Sequence, residues 1–190
     1  MSSEHFHVHG AHEHEVEHKA HAGDSFAARV AVMTAVLATI GALMSYQGGA
    51  TQNDALLFKN EAAIKKTEAS DQWNFYQAKS SKQNLAELGA TLTTGEAAER
   101  YRSEARRYND EKKEIQKKAE EFERASVEAN TRSEASMHVH HRWAQATTLV
   151  QISIALAAIA LLTRRKWMLW GVYGAALGGG VLATLAALHI

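Results

Sequence analysis

The chain has 190 residues and no net charge, because 21 basic side chains balance 21 acidic ones. This balance provides no basic surface for nucleic acid, and the absence of cysteine excludes disulfides, thiolate metal sites and cysteine nucleophiles. Proline is also absent, so no residue forces a kink in a helix. The apolar residues are concentrated in three runs near the ends of the chain, which argues against one soluble core.

Residues 1–25 are predicted to form a polar tail that lacks the basic region and cleavage site of a signal peptide. Its histidines are interleaved with glutamates, and this ligand set suits a divalent metal ion such as Zn, Ni or Cu. The same composition fits a solvated tail whose histidines only titrate near neutral pH. The candidate metal ligands are His5, His7, His9, His12, His14, His18 and His21.

Residues 26–47 form the first apolar run, with Arg29 as its only charged residue. A helix of this length crosses a hydrocarbon core of about 30 Å, so the run predicts the first transmembrane helix. Gly48 and Gly49 are expected to end it, and Thr51 or Asn53 to cap a new helix.

Residues 51–142 are highly charged and rich in good helix formers. Gly89 predicts the end of a first arm, and Thr93 with Glu96 fits a capping box that opens a second arm. Two long helices joined by a short loop, with both ends held at one membrane, predict an antiparallel helical hairpin that resembles a coiled-coil stalk. The predicted fold is therefore an all-α membrane protein with three transmembrane helices and this stalk between the first and the second.

The returning arm carries a thin heptad seam with small and polar residues at several core positions. The charged residues on its other faces are expected to be a solvated surface. A thin seam leaves a single hairpin marginal, so we expect several hairpins to pack together. The residues assigned to the interaction seam are Trp73 and Tyr76 on the first arm and Tyr101, Tyr108, Ile115 and Phe122 on the returning arm.

Residues 144–163 and 167–188 form two more apolar runs, which predict the second and third transmembrane helices. The histidines just before them, within residues 138–141, fit either a metal or proton-sensing site or ordinary interfacial polar groups. Glycines permit close helix approach, either within one chain or between chains. The candidate packing glycines are Gly41, Gly171, Gly174 and Gly178.

The short loop between the last two spans carries Arg164, Arg165 and Lys166. Positive charge in short loops stays cytoplasmic, whereas charge in a long loop has little effect on orientation. The loop therefore predicts a cytoplasmic N-terminus, with the stalk and the C-terminus on the outer side of the membrane.

Residues 69–79 carry the pattern A-S-D-x-W-x-x-Y-Q-A-K and follow Asn60 and Glu61. Together with one early span and two closely spaced late spans, this pattern resembles the bacterial domain-of-unknown-function family 4337. The resemblance covers residues 26–190 and leaves the histidine-rich tail outside. It implies a protein of the bacterial inner membrane whose function is unassigned.

The sequence lacks a phosphate loop, an H-E-x-x-H zinc pair and a G-x-S-x-G elbow, so we expect no enzyme. The leading hypothesis is a structural or accessory membrane protein whose stalk binds further copies or a larger membrane complex. Its expected partners are membrane lipid and these proteins, with no nucleic acid. The alternatives are metal handling by the tail and an oligomeric channel or transport component, since three spans without buried charge form no pathway alone.

Removing residues 1–24 tests the metal hypothesis. If the tail collects a divalent ion, the shortened chain binds less Zn, Ni or Cu than the full chain, because it has lost the imidazole ligands. The measurement is the metal content of both proteins, purified side by side, by plasma mass spectrometry. Equal metal content would contradict the hypothesis.

Overall fold

The computed structural model describes residues 25–188, and the histidine-rich tail lies outside this range. The described residues form three α-helices and one short 3-10 helix, and they include no strand. The predicted all-α fold is confirmed, with two long helices that pack against each other. The elements are α1 (Ser25–Leu92), α2 (Glu96–Thr163), a 3-10 helix (Lys166–Met168) and α3 (Leu169–Ala187).

Three stretches within these helices are long and apolar enough to cross a membrane. They lie in α1, in α2 and in the segment that consists of the 3-10 helix and α3 together. Less than a third of each apolar stretch is buried inside the protein. Most of this apolar surface is therefore available to lipid, as the three predicted spans require.

The described residues divide into two compact units. We call one the membrane unit; it contains α1 up to Gly49, α2 from Val139 onward, and α3. We call the other the hairpin unit; it contains residues 50–138, that is, the second part of α1, the loop and the first part of α2.

The membrane unit is held together by two small apolar clusters and one buried hydrogen bond. Val30 of α1 packs with Ala157 of α2 and Val172 of α3, and a second cluster surrounds Met44, Ala146 and Val150. The buried hydroxyl of Ser153 donates a hydrogen bond of 2.8 Å to the carbonyl oxygen of Val172. All three helices of the unit are thus in mutual contact.

Gly48 and Gly49 do not end the first helix, so the prediction of a break and of a new cap at Thr51 or Asn53 is wrong. Gly48 is buried, and a Cβ atom on it would lie 3.3 Å from the Cβ atom of Trp143. A glycine inside a helix costs only about 1 kcal/mol relative to alanine. Close packing against α2, rather than a helix end, accounts for the glycine at position 48.

The hairpin turns after α1 ends at Leu92, and Gly95 is its only described glycine with a positive φ, at 67°. Gly89 lies inside the helix, and close packing explains the glycine, because a Cβ there would lie 3.0 Å from the ring of Tyr101. The hydroxyl of Thr93 donates to the carbonyl oxygen of Gly89 at 2.7 Å, so it belongs to the end of α1 and does not cap α2. The predicted helix end at Gly89 and the predicted capping box are therefore both wrong.

Small residues line the contact between the two arms of the hairpin unit. Ala55, Ala62 and Ala69 of α1 are buried at intervals of seven residues, and so are Ala119, Ser126 and Ser133 of α2. The hydroxyl of Ser126 donates to the carbonyl oxygen of Ala62, and that of Ser133 to Ala55, both at 2.8 Å. As the residue number rises on α2 it falls on α1, so the two arms run antiparallel, as predicted.

Replacing Ala119 by leucine should lower the free energy of unfolding by about 1–3 kcal/mol, the usual cost of overpacking a tight contact. Ala119 is fully buried. Ala97→Leu is the matched control, because it adds the same atoms at an exposed position of the same helix. The measurement is chemical unfolding of the full chain in a mild detergent. Equal effects of the two substitutions would show that position 119 is not closely packed.

Candidate functional site in the hairpin unit

Aromatic rings and charged side chains meet across the hairpin unit. The rings of Trp73 and Tyr76 pack edge to face, with their centroids 5.5 Å apart. The indole nitrogen of Trp73 donates to Glu123 at 3.3 Å, and the ammonium of Lys112 lies 5.5 Å from the centroid of Tyr76. An aromatic pair on α1 is thus held by an anion and a cation of α2.

One turn further along α1, Lys79 bridges to two residues of α2. Its ammonium pairs with Glu111 and lies 5.4 Å from the ring centroid of Tyr108. Arg107 approaches both of these partners, at 4.9 Å from the ring and 3.6 Å from the carboxylate. The hydrogen bond from Lys79, with the nearby positive charges, lowers the pKa of Glu111 below its ordinary value.

Lys65 makes a similar contact nearer the start of the hairpin unit. Its ammonium lies 5.2 Å from the ring centroid of Phe122 and donates to Glu68 at 2.8 Å. This hydrogen bond, assisted by the carboxylates of Glu68 and Glu61, raises the pKa of Lys65. The cation is thus shared between a ring on α2 and carboxylates on its own helix.

Four of the six seam residues named from the sequence, Trp73, Tyr76, Tyr108 and Phe122, take part in these contacts within one hairpin. Trp73, Tyr76, Tyr108, Ile115 and Phe122 are half-buried. Tyr101 is more exposed and lies over Gly89, beyond the aromatic cluster. The structure brings Trp73 and Tyr76 together, and the rings of Tyr108 and Phe122 meet cations of α1 instead of another ring.

The family pattern in residues 69–79 has its packed positions on one side of α1. Ala69 is buried, and Trp73, Tyr76 and Lys79 make the cluster contacts just described. These positions are separated by four, three and three residues, which places them on one helical face. Four of the eight residues specified by the pattern therefore lie on the side of α1 that packs against α2, and the other four are exposed.

Sequence reasoning missed the polar partners of this face. Ser133 and Glu123 were not singled out, and Glu111 was wrongly assigned to the solvated surface, although each reaches across to α1. The spacing of Ala55, Ala62 and Ala69 was the available signal, because three small residues at intervals of seven indicate close packing against a neighbouring helix.

The predicted packing glycines lie in the membrane unit, and three of them contact a neighbouring helix. A Cβ on Gly41 would meet Val150 at 3.3 Å, one on Gly178 would meet Leu149 at 3.3 Å, and one on Gly171 would meet Leu156 at 3.5 Å. Gly174 has no such neighbour within 4 Å. The contacts of the first three are within one chain.

The basic loop after α2 is exposed at Arg164, Arg165 and Lys166. Arg164 takes a left-handed backbone conformation with φ of 54°, which is a common way to end a helix. The loop thus turns the chain sharply between α2 and α3 and leaves its three basic residues at the surface.

The candidate metal ligands of the tail lie outside the described residues. Within the described range no group of three or more histidine, aspartate or glutamate side chains is arranged to hold a metal ion. His140 has its Nδ1 2.8 Å from the carbonyl oxygen of Gly48, so this nitrogen is the donor and carries the hydrogen. His138 is exposed, and the rings of His140 and His141 are 5.8 Å apart.

These features define an α-helical protein with three candidate membrane spans and a packed helical hairpin. The chain belongs to the family described as a domain of unknown function (DUF4337), whose model matches residues 26–189. The resemblance seen in the sequence is thereby confirmed. Comparisons with curated proteins and with solved structures give no match.

The contribution of Glu111 to stability should depend on pH. Its pKa is lower in the folded chain than its ordinary value of 4.5. The stabilisation is therefore present above that ordinary value and is lost as the pH falls through the lower pKa of the folded state. Glu111→Gln should lower the melting temperature near neutral pH, and the difference should shrink in acid.

Thermal unfolding of the full chain in detergent, followed by circular dichroism from neutral to acidic pH, measures this effect. Glu114→Gln is the control, because Glu114 pairs with Lys117 of its own helix. A loss at Glu111 that is the same at every pH would contradict the assigned ion pair.

Proposed function

We propose that the protein is a structural or accessory integral membrane protein whose hairpin unit binds further copies or a larger membrane complex. The observation that carries this proposal is the apolar surface that the hairpin leaves uncovered. Leu57, Ile64, Phe75, Leu85 and Leu92 all expose more than half of their surface. Large exposed apolar residues on one element are typical of a surface that binds another protein.

The internal contacts of the hairpin support a binding role over a catalytic one. The charged groups of the aromatic cluster are already paired: Lys79 with Glu111, and Glu123 with Trp73 and Lys66. A general base or a nucleophile needs a free reactive atom facing a pocket. The cluster instead joins two helices, so we propose that the protein is not an enzyme.

The membrane location rests on the three spans, and the proposed orientation rests on the basic loop. Arg164, Arg165 and Lys166 are exposed between α2 and α3. The positive-inside rule puts this loop in the cytoplasm. The N-terminus is then cytoplasmic and residues 51–142 lie on the outer side of a bacterial inner membrane.

Native mass spectrometry after gentle extraction from cell membranes tests the proposal. We expect a defined homo-oligomer or a stoichiometric complex with another membrane protein, because such an interface would bury the exposed apolar side chains. The matched control is the same sample in a harsh detergent, which should release the single chain. A lone chain in the mild detergent as well would contradict the proposal.

A further inference from the structure

A second apolar stripe runs along α1 on the side away from α2. Leu57, Ile64, Leu85 and Leu92 occupy it with 58%, 59%, 67% and 76% of their surface exposed, and Ala78 is exposed with them. Each of these positions differs from the next by seven residues or a multiple of seven. They follow the buried alanine positions by two residues, which is a turn of about 200° around the helix. The stripe therefore lies opposite the packed face.

The positions on one side of the stripe are uncharged, whereas the other side carries Glu61, Glu68 and Lys82. Three residues after each stripe position the chain has Asn60, Thr67, Asn74, Ser81 and Leu88. The only charged residue in this double row is Asp71, which occupies the stripe position between Ile64 and Ala78. A helix face that only meets water normally carries many charges.

The matching positions of α2 show what a solvated face looks like in this protein. The positions two residues after the small residues that face α1, or after their places in the same seven-residue register, are six exposed residues, of which five are charged. The charged ones are Arg100, Arg107, Glu114, Glu121 and Glu128, and the uncharged one is Ala135. The difference between the two arms is therefore specific to the outer face of α1.

We propose that the outer stripe of α1, defined by Leu57, Ile64, Asp71, Ala78, Leu85 and Leu92, packs in parallel against the same stripe of a second copy. This inference rests on the proposed function and specifies the surface that it uses. Apolar residues at intervals of seven form one of the two core rows of a helix that packs against another helix, and the row three positions on is uncharged, with polar residues at four positions and Leu88 at the fifth. A second copy supplies a helix with the same repeat, and a symmetric dimer uses one surface twice.

The size of the stripe fits a contact between molecules that already share a membrane. From Leu57 to Leu92 it extends about 53 Å at 1.5 Å per residue, and a strip about 10 Å wide covers on the order of 500 Å². Stable interfaces between free proteins bury about 800 Å² per partner. The shared membrane compensates for the smaller interface area, because anchoring raises the effective concentration of the copies. Copies that insert with the same topology also have their α1 helices parallel to each other.

Asp71 limits the strength of this contact. In a symmetric parallel pair the two Asp71 carboxylates face each other, and like charges at such a position are unfavourable. A single polar residue in a heptad seam also favours one register over others, since a shift would bury it against an apolar side chain. Asp71→Leu should therefore increase the dimer fraction.

Single cysteines test the inference directly, because the chain has none of its own. Ile64→Cys and Leu85→Cys place a thiol in the stripe, while Glu114→Cys and Glu121→Cys are controls on the outer face of α2. Mild oxidation in native membranes should give several-fold more disulfide-linked dimer from the stripe variants. Efficient linking at both positions indicates a parallel pair, because an antiparallel pair would place each thiol opposite a different position of the other copy.

A second variant separates this inference from the proposed function. Leu85→Asp adds charge at an exposed position, so it should leave the helical content unchanged and lower the dimer fraction in native mass spectrometry. An oligomer that survives Leu85→Asp, with stripe cysteines that link no better than controls or link to another protein, overturns the inference alone. A lone chain before any substitution overturns both proposals.

Discussion

The hairpin unit depends on the absence of bulky side chains where its two helices meet. Packed helices ordinarily lie 8–10 Å apart, and the size of the side chains at the contact sets the distance. With alanine or serine at one position in seven, the backbones come close enough for Ser126 and Ser133 to reach carbonyl oxygens of α1. Each of these oxygens belongs to a residue inside a helix, so the hydroxyls add bonds between helices without ending either one.

Close backbone approach has a cost in buried apolar area, because an alanine buries little surface. The flanks of the seam compensate with rings and ions, as in the contacts of Trp73 with Glu123 and of Lys79 with Glu111 and Tyr108. Partly exposed ion pairs contribute little individually, but several of them along one seam fix its register. The membrane unit uses the same kind of approach, since Gly179 lies against the carbonyl oxygen of Ala146.

Much of this fold could be predicted from residue patterns that extend over many turns. The three apolar runs and the seven-residue repeat on the returning arm are such patterns, and the structure has three candidate spans and an antiparallel hairpin. The predictions of helix ends from single glycines were wrong. Gly48 and Gly89 read as helix ends because glycine is a poor helix former, yet each is next to a large side chain of α2, Trp143 and Tyr101 respectively.

The face of α1 that meets α2 could be located from its small residues, but the partners of each side chain could not. The reach of Lys79 to Glu111, and of Trp73 to Glu123, depends on the register of two arms separated by a loop. Sequence spacing within one helix does not contain that register. The two serine-to-carbonyl bonds do define it, because they pair position 62 with 126 and position 55 with 133.

This pairing also determines how the hairpin responds to a pull along its length. A slide of one arm by a single residue would move both hydroxyls away from their carbonyl oxygens and bring larger side chains into the narrow contact. The next arrangement with small residues opposite each other is seven residues away, about 10.5 Å along the helix. The two arms therefore have no neighbouring register to slip into, and a displacement applied to one arm moves the other with it.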